Sequence, residues 1–132
     1  MIAQVETGDG VYTVDLDDEA IVAVESGARL EPAAAVLVSL PRVVAAAASG
    51  STVVAAVDAK PPLLVSHDAG TTWRDSGRGL PPVFAVAIDD FDPDLVVLAT
   101  RNRLYVSRDG GLFWTAVPAE LPDIETMMLR EA

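Results

Sequence analysis

The chain of 132 residues contains no cysteine, one lysine and one histidine. The lack of cysteine excludes disulfides, thiolate catalysis and cysteine-ligated metals. A lone histidine, His67, forms neither a metal cluster nor a catalytic dyad. Nine Lys and Arg residues stand against twenty Asp and Glu, which gives a net charge of −11. Since nucleic acids bind basic surfaces, we expect no nucleic-acid partner.

Long hydrophobic runs are also absent. No apolar stretch approaches the roughly 18 residues of a membrane span, so we expect no membrane partner. Residues 1–6 lack the basic and apolar segments of a secretory signal, and a cytoplasmic location is therefore expected.

Aromatic residues are few, at 5% of a chain that is 51% hydrophobic, so valine and alanine must form most of the core. Short valine-rich runs broken by Gly, Pro, Asn and Asp favour strands joined by tight turns. The alanine-rich run 42–48 is also compatible with a helix, because alanine is the best helix former. The composition as a whole predicts an all-β fold.

Two octapeptides repeat along the chain. Residues 66–73 read SHDAGTTW and residues 107–114 read SRDGGLFW, so both follow the pattern Ser-x-Asp-x-Gly-x-x-Trp. They lie 41 residues apart, and a repeated unit of about that length is typical of propellers and solenoids.

Strand-like runs flank both octapeptides at matching offsets. We label the strand after each Leu-Pro pair A and the next three strands B, C and D, with the octapeptide as the C–D turn. A degenerate third copy opens the chain: Val11-Tyr12 falls on Leu104-Tyr105, but the Gly and Trp of the octapeptide are lost. The order is therefore B-C-D, A-B-C-D, A-B-C-D, A, which predicts a circularly permuted single domain of three four-stranded propeller blades. The expected boundaries are residues 1–26 with 123–132 for blade 1, 40–76 for blade 2 and 80–118 for blade 3.

The division of blade 1 between the two ends of the chain bears on assembly. Propellers typically close with four to eight blades, and an unpaired terminal strand would leave an exposed edge. We predict a homodimer in which the C-terminal strand of each chain pairs with the N-terminal strand of its partner, which completes a six-bladed β-propeller. A nine-bladed trimer and a fragment of a longer propeller are the alternatives.

The octapeptide resembles the Asp-box, or bacterial neuraminidase repeat, of sialidases, sortilin-like receptors, xyloglucan-active hydrolases and photosystem assembly factors. Residues 66–73 match the family pattern fully, and residues 107–114 match it except at Phe113. The resemblance implies a propeller whose boxes lie on C–D turns, remote from the ligand face. We interpret the box residues as structural, since Asp caps a turn, Gly takes positive φ and Trp packs between sheets. These residues are Ser66, Asp68, Gly70, Trp73, Ser107, Asp109, Gly111 and Trp114.

The sequence assigns no catalytic residue. Family members with sialidase activity use an arginine triad, a tyrosine with a glutamate, and an aspartate, whereas Tyr12 and Tyr105 here stand at equivalent strand positions that suit packing. The acidic segment 89–94 suits either Ca²⁺ or an ordinary turn, and we expect neither a metal nor a cofactor. We predict a non-catalytic binding or scaffold module, with a minimal sialidase- or xyloglucanase-like hydrolase as the alternative.

By analogy with other propellers, we expect the ligand on the face built from the D–A and B–C loops. The candidate binding residues there are Lys60, Arg78, Arg101, Asn102 and Arg103. Their cationic groups suit a carboxylate or phosphate, so a glycan, an anionic small molecule or a protein is the expected ligand. The long first D–A connection, residues 26–39, is expected to form an extra strand, to cover the channel mouth or to pad the dimer seam.

Overall fold

The structure is a computed structural model that describes residues 1–130 except 32–35 and 37. Within these ranges it contains twelve strands and no helix, which confirms the predicted all-β class. The strands are β1 (Ile2–Thr7), β2 (Gly10–Asp15), β3 (Ala20–Ser26), β4 (Val43–Ser49), β5 (Thr52–Val57), β6 (Leu63–Ser66), β7 (Arg74–Ser76), β8 (Ala85–Ile88), β9 (Val96–Ala99), β10 (Leu104–Ser107), β11 (Thr115–Ala116) and β12 (Ile124–Arg130).

The strands form three antiparallel four-stranded sheets, which are the three predicted blades. Blade 1 has the order β12-β1-β2-β3, blade 2 runs β4 to β7, and blade 3 runs β8 to β11. The first strand of each blade in this order lies innermost, because β8 contacts both β4 and β12. The alanine-rich run forms the innermost strand β4 and not a helix, since its backbone pairs with β5 from Val43 to Ser49. Its small side chains suit the crowded inner position.

The C-terminal strand pairs with the N-terminal strand of the same chain. In the β1–β12 register Ile2 lies opposite Arg130, Gln4 opposite Met128 and Thr7 opposite Ile124. The prediction that β12 is exchanged between two chains is therefore wrong for this structure. The prediction rested on the terminal strand having no partner within its own chain, whereas the connector of sixteen residues, 27–42, spans up to about 50 Å when extended and leaves the end of the chain free to reach β1.

Two apolar clusters hold the blades together and set their order. One cluster joins blade 3 to blade 1 and includes Val97 and Leu104 against Val5 and Val14. The other joins blade 2 to blade 3, with Val54 and Leu63 on blade 2. Among the described strands, none of blade 1 contacts blade 2. The blades thus follow the order 2–3–1 and form an open arc with blade 3 in the middle.

The outermost strands of blades 2 and 3 are very short. β11 contains only Thr115 and Ala116, although the sequence suggested a strand over residues 113–117. The box turn accounts for the difference, because the backbone N–H of Phe113 donates to Asp109 Oδ1 and not to a neighbouring strand. Pro118 directly follows Val117 and has no backbone N–H, so it cannot donate a hydrogen bond that would continue the strand.

The first octapeptide folds into a closed hydrogen-bonded turn. Ser66 Oγ donates to Asp68 Oδ1 at 2.7 Å and accepts the backbone N–H of Gly70 at 2.8 Å. The carboxylate of Asp68 also accepts the N–H of Thr72 at 2.8 Å and its hydroxyl at 2.6 Å. Chiefly because of the Thr72 hydroxyl, the pKa of Asp68 is lowered to about 2. The box aspartate is therefore a hydrogen-bond acceptor that holds its own turn.

The second octapeptide repeats this turn with one bond exchanged, because the backbone N–H of Leu112 donates to Asp109 Oδ1 at 3.1 Å where the first box uses the Thr72 hydroxyl. Ser107 Oγ donates to Asp109 Oδ1 at 2.7 Å and accepts the N–H of Gly111 at 2.9 Å. Phe113 stands where Thr72 stands in the first box and supplies no hydroxyl. The Ser107 hydroxyl is the main cause of the lowered pKa of Asp109.

An aspartate also holds the turn of the degenerate copy in blade 1, although it stands one position before that of the box aspartate when Val11-Tyr12 is aligned with Leu104-Tyr105. Asp15 Oδ1 accepts the N–H groups of Asp17 and Asp18 at 2.9 and 3.0 Å, and the bond from Asp18 is the main cause of its lowered pKa. The acceptor role thus survives in this copy although the Gly and Trp of the octapeptide do not.

A pair of introduced cysteines tests whether β12 pairs within its own chain. Gln4 and Met128 lie directly opposite each other and outside the two apolar clusters, and the chain has no other cysteine. In Gln4→Cys/Met128→Cys, oxidation or a short bifunctional thiol reagent should give a cross-linked monomer of altered mobility in denaturing gels. Covalent dimers from the double variant, with none from Gln4→Cys alone, would show that the strand is exchanged.

The acid dependence of stability tests the role of Asp68. Its native pKa of about 2 lies below the ordinary value of 3.8, so the ionised carboxylate stabilises the fold above about pH 4. This contribution is lost as the pH falls from about 4 towards about 2. We expect Asp68→Ala to lower the melting temperature at pH 7, and the difference from the parent protein to shrink across that interval. Asp75→Ala, which removes an exposed carboxylate outside the box, is the matched control; an equal loss in both variants would contradict the assignment.

Candidate ligand-binding face

The loops at one end of the blades form an apolar cleft between blades 2 and 3. The cleft has a volume of about 540 Å³. It is lined by Val44, Val57, Asp58, Ala59, Lys60, Pro62, Pro82, Val83 and Phe84. The lining joins the B–C turn of blade 2 to the beginning of the innermost strands of blades 2 and 3. This is the loop face on which the sequence predicted a ligand.

Prolines shape both walls of the cleft. In the B–C turn, the carbonyl of Pro62 accepts the N–H of Val57 at 2.8 Å, and the N–H of Asp58 donates to the carbonyl of Arg42 at 3.0 Å. On the other wall, Pro81 and Pro82 cannot donate to a sheet, so pairing with β9 begins only at Phe84. The N–H of Phe84 donates to the carbonyl of Ala99 at 2.8 Å.

Two large apolar side chains remain accessible at this end of the sheets. Phe84 is 48% exposed and Val44 is 51% exposed. Lys60 and Asp58 add one charge of each sign to the lining. An apolar concavity with a few polar groups at its edge is the usual form of a binding site. The arrangement can hold an apolar side chain while Lys60 pairs with a carboxylate of the same ligand.

The structure separates the predicted binding residues. Lys60 lines the cleft, whereas Arg78 is exposed on the D–A loop of blade 2 outside the lining. Arg101 Nε donates to both carboxylate oxygens of Asp123 at 3.2 Å. Arg103 pairs with Glu120 at 3.4 Å.

The B–C turn of blade 3 is tied to the chain that follows it. The backbone carbonyl of Asn102 accepts the N–H of Leu121 at 3.0 Å, and that of Arg101 accepts the N–H of Ile124 at 2.7 Å. The two arginines of this turn therefore connect loops of blade 3 to the beginning of β12.

The sequence analysis missed the apolar part of the cleft. The sequence predicts Val83 and Phe84 only as the beginning of a strand, and Val44 only as part of an innermost strand. The signal was present in the run Leu-Pro-Pro-Val-Phe at residues 80–84, since two prolines place the apolar residues that follow them at the entrance of an edge strand. The run carries no charge, so a prediction based on cationic residues does not include it.

The described residues supply no acid pair at the cleft. Asp58 is the single carboxyl group in its lining, and Tyr12 and Tyr105 pack instead against the clusters between blades. In the acidic segment, Asp89 and Asp92 accept the N–H groups of Phe91 and Asp94, as turn residues do. No group of three or more His, Asp or Glu side chains placed to hold a metal occurs in the described part of the chain.

A second cavity lies along the inner surface of the arc. Its volume is about 580 Å³, and its walls come from the innermost strands β4, β8 and β12, with Met1 and Val36. Residues 32–35 and 37 of the connector are not described, so the expected extra strand over residues 26–39 lies in part outside the described residues; the described residues 27–31, 36, 38 and 39 form no strand. The inner cavity contains no candidate residue from the sequence analysis.

Comparison with known proteins supports the fold. No protein-family profile matches the chain, and no curated protein matches it in sequence. Among solved structures, YCF48 bound to D1 peptide is similar to this chain, with a TM-score of 0.52 and 18% identity over 86% of this chain. The match covers 38% of that chain, so the present sequence spans about two fifths of it. The likeness shows a β-propeller fold.

Proposed function

We propose that this protein is a binding or scaffold module that holds a segment of another protein in the cleft between blades 2 and 3. The cleft itself carries the proposal, because Phe84 and Val44 are half exposed in a concave site on the loop face. The propeller of YCF48 has been solved with a peptide bound, which supports a protein ligand for a related architecture. The module acts by recognition and needs no catalytic group.

The chemistry of the cleft defines the segment that fits it. Phe84 and Val44 bury an apolar side chain, and each apolar side chain so buried stabilises a complex by about 1.5–3 kcal/mol. Lys60 adds a carboxylate partner at one edge, from an acidic side chain or a free C-terminus. We therefore propose a short extended segment that combines one large apolar residue with one carboxylate.

A glycan ligand or a glycan-acting hydrolase finds less support. Canonical glycosidases use two carboxyl groups that flank the scissile bond. In the described part of the cleft only Asp58 is available. No observation favours the hydrolase over the binding module.

We also propose that the two octapeptides are Asp-box turns and that a second copy of the chain completes the ring. The shared bonds from Ser66 and Ser107 to the box aspartates support the first point. The open arc supports the second, because three blades in the order 2–3–1 leave two sheet faces without a neighbouring blade in the described structure. Two such arcs make six blades, which lies within the usual range for propellers.

Peptide binding tests the proposed cleft. We expect an array of random 12-residue peptides to select sequences with one large apolar residue near an acidic residue or the free C-terminus. Phe84→Ser should weaken binding of a selected, fluorescein-labelled peptide at least tenfold in fluorescence polarisation, because a buried apolar contact is lost. Lys60→Gln should weaken the binding of selected peptides that carry the carboxylate. It should leave the binding of their carboxylate-free analogues unchanged.

Phe113→Ser is the matched control, since it removes an equally large and more exposed phenylalanine from a box turn. Its binding should equal that of the parent protein. Peptide binding that survives Phe84→Ser, or selection of glycans and not peptides, would contradict the proposal.

Light scattering coupled to gel filtration tests ring completion. We expect a mass of twice the chain mass of 13.8 kDa. Each copy carries a net charge of −11, so the measurement belongs at 0.15 M salt and above, where repulsion between copies is screened. Dilution or low salt should shift the mass towards the monomer. A monomer at every concentration and salt level would overturn the dimer.

A further inference from the structure

The repeat specifies what should cover the open face of blade 2. In blade 3, Trp114 packs against the cluster shared with blade 2, and its indole N–H donates to Ser76 Oγ on β7 at 3.0 Å. Ser76 Oγ in turn donates to the backbone carbonyl of Gly111 in the blade 3 box. The box tryptophan thus fixes a blade to the preceding blade in the order 2–3–1.

Trp73 is the same residue of the blade 2 box and has no such partner among the described residues. Both indoles lie against their own box glycine, because a Cβ added to Gly70 or Gly111 would stand 3.4 or 3.7 Å from Cζ2 of the respective tryptophan. Trp73 therefore has the orientation of Trp114 but lies outside the cluster between blades 2 and 3. It belongs to the face of blade 2 that no described strand of blade 1 or blade 3 covers.

The same repeat identifies the matching position on blade 1. Ser76 stands opposite Leu63 on β6. The corresponding residue of blade 1 is Val11, and the residue opposite Val11 on β3 is Glu25. Glu25 is exposed, and its carboxylate makes no hydrogen bond or ion pair within the described ranges. A carboxylate at this position accepts an indole N–H at least as well as the Ser76 hydroxyl does.

The contacts inside the arc show how the next blade would dock. β5 of blade 2 contacts β8 of blade 3, and β9 of blade 3 contacts β12 of blade 1. In both cases the second strand of one blade meets the innermost strand of the next. Continuing the series places β1 of one subunit against β4 of another. The face of blade 1 that carries Gln4, Thr13 and Glu25 and the uncovered face of blade 2 are therefore the two halves of one repeating junction. At the Thr7 end of the blade 1 face, Arg29 and Leu30 of the connector bind Glu6 and bound the area that a partner can cover.

We propose that a second copy of this chain closes the arc at this junction, with Trp73 of each subunit donating its indole N–H to Glu25 of the partner subunit. This inference rests on the proposed dimer and specifies its interface, the contact of blade 1 of one subunit with blade 2 of the other, which we call the seam. Blade 2 contributes the apolar side chains Val53 and Leu64, which alternate with the residues facing blade 3. Blade 1 contributes the polar side chains Gln4 and Thr13 together with the apolar Ile2 and Val11, all of which alternate with its own core residues.

The polar half of the seam predicts a reversible association. The junctions within the chain join two apolar faces, whereas at the seam the blade 1 face is partly polar, with Gln4 and Thr13 beside Ile2 and Val11. With a charge of −11 on each copy, two subunits also repel one another at low salt. The seam therefore opens on dilution before the blades themselves unfold.

Fluorescence of Trp73 tests the seam directly, because the chain has only two tryptophans. In Trp114→Phe, Trp73 is the single indole. We expect its emission to shift to longer wavelength on dilution, in step with the fall in mass measured by light scattering. If Trp114→Phe does not fold, acrylamide quenching of the parent protein above and below the dimer midpoint provides the same readout on one of its two indoles.

Substitutions at position 25 give a second readout. Glu25→Ala removes one such bond at each of the two symmetry-related seams and should raise the dimer dissociation constant roughly a hundredfold, since each charge-assisted hydrogen bond is worth about 1.5 kcal/mol. Glu25→Gln keeps an acceptor and should restore most of the affinity. Asp18→Ala removes an exposed carboxylate from the C–D turn of the same blade and should leave the dissociation constant unchanged.

The outcomes separate the seam from the dimer on which it rests. A monomer under all conditions overturns both proposals. A dimer whose Trp73 emission does not change on dissociation, or whose affinity is equal in Glu25→Ala and Asp18→Ala, overturns the seam and leaves the dimer. A mass near three or four chains with the expected Trp73 shift overturns the twofold ring and supports the seam as a junction of a larger one.

Discussion

Each sheet of this protein has two sides, and apolar side chains on a sheet are stable only when another layer covers them. Blade 3 shows the constraint most clearly, because Val96 and Val97 are both fully buried although they point to opposite sides of β9. One meets the cluster shared with blade 2 and the other meets the cluster shared with blade 1. Stacking of blades therefore buries the core side chains. Hydrogen bonding within a blade places these side chains on the two sides of the sheet but does not cover them. The order of the blades, the cleft between two of them and the open ends of the arc all follow from this stacking.

Local chemistry explains how much of the fold could be predicted. The box turn depends on a few residues close together in the chain, such as Ser66, Asp68 and Gly70, so it could be predicted from the sequence pattern. The spacing between the two octapeptides, compared with the chain length, predicted three blades. The strand with which β12 pairs depends on which sheet edge lies close to the end of the chain. That in turn depends on the path of the connector 27–42. No pattern of residue types encodes that path. The strand was therefore expected on a partner, whereas it lies on β1 of its own chain.

The candidate site could be predicted only in part, for a related reason. Charge is visible in a sequence, but its neutralisation by a neighbour is not, and Arg101 and Arg103 are occupied by Asp123 and Glu120. Exposure of an apolar side chain is equally hidden, since Phe84 remains half exposed only because pairing begins at its own N–H. Lys60 is the one predicted cation that lines the cleft. The chemistry that distinguishes this face is thus chiefly apolar, in a protein whose surface charge is strongly acidic.

The union of both chain ends in blade 1 has a consequence for biosynthesis. Strand β1 is made first, yet its partner β12 begins more than one hundred residues later at Ile124. At ordinary translation speeds of about 5–20 residues per second, β1 waits on the order of ten seconds for that partner. During this interval β1 can pair with β2, but its other edge has no strand beside it, and the side chains of Ala3 and Val5 lack the blade 3 residues against which they end fully buried. That edge of β1 is therefore open to pairing with other chains for most of the synthesis of this sequence.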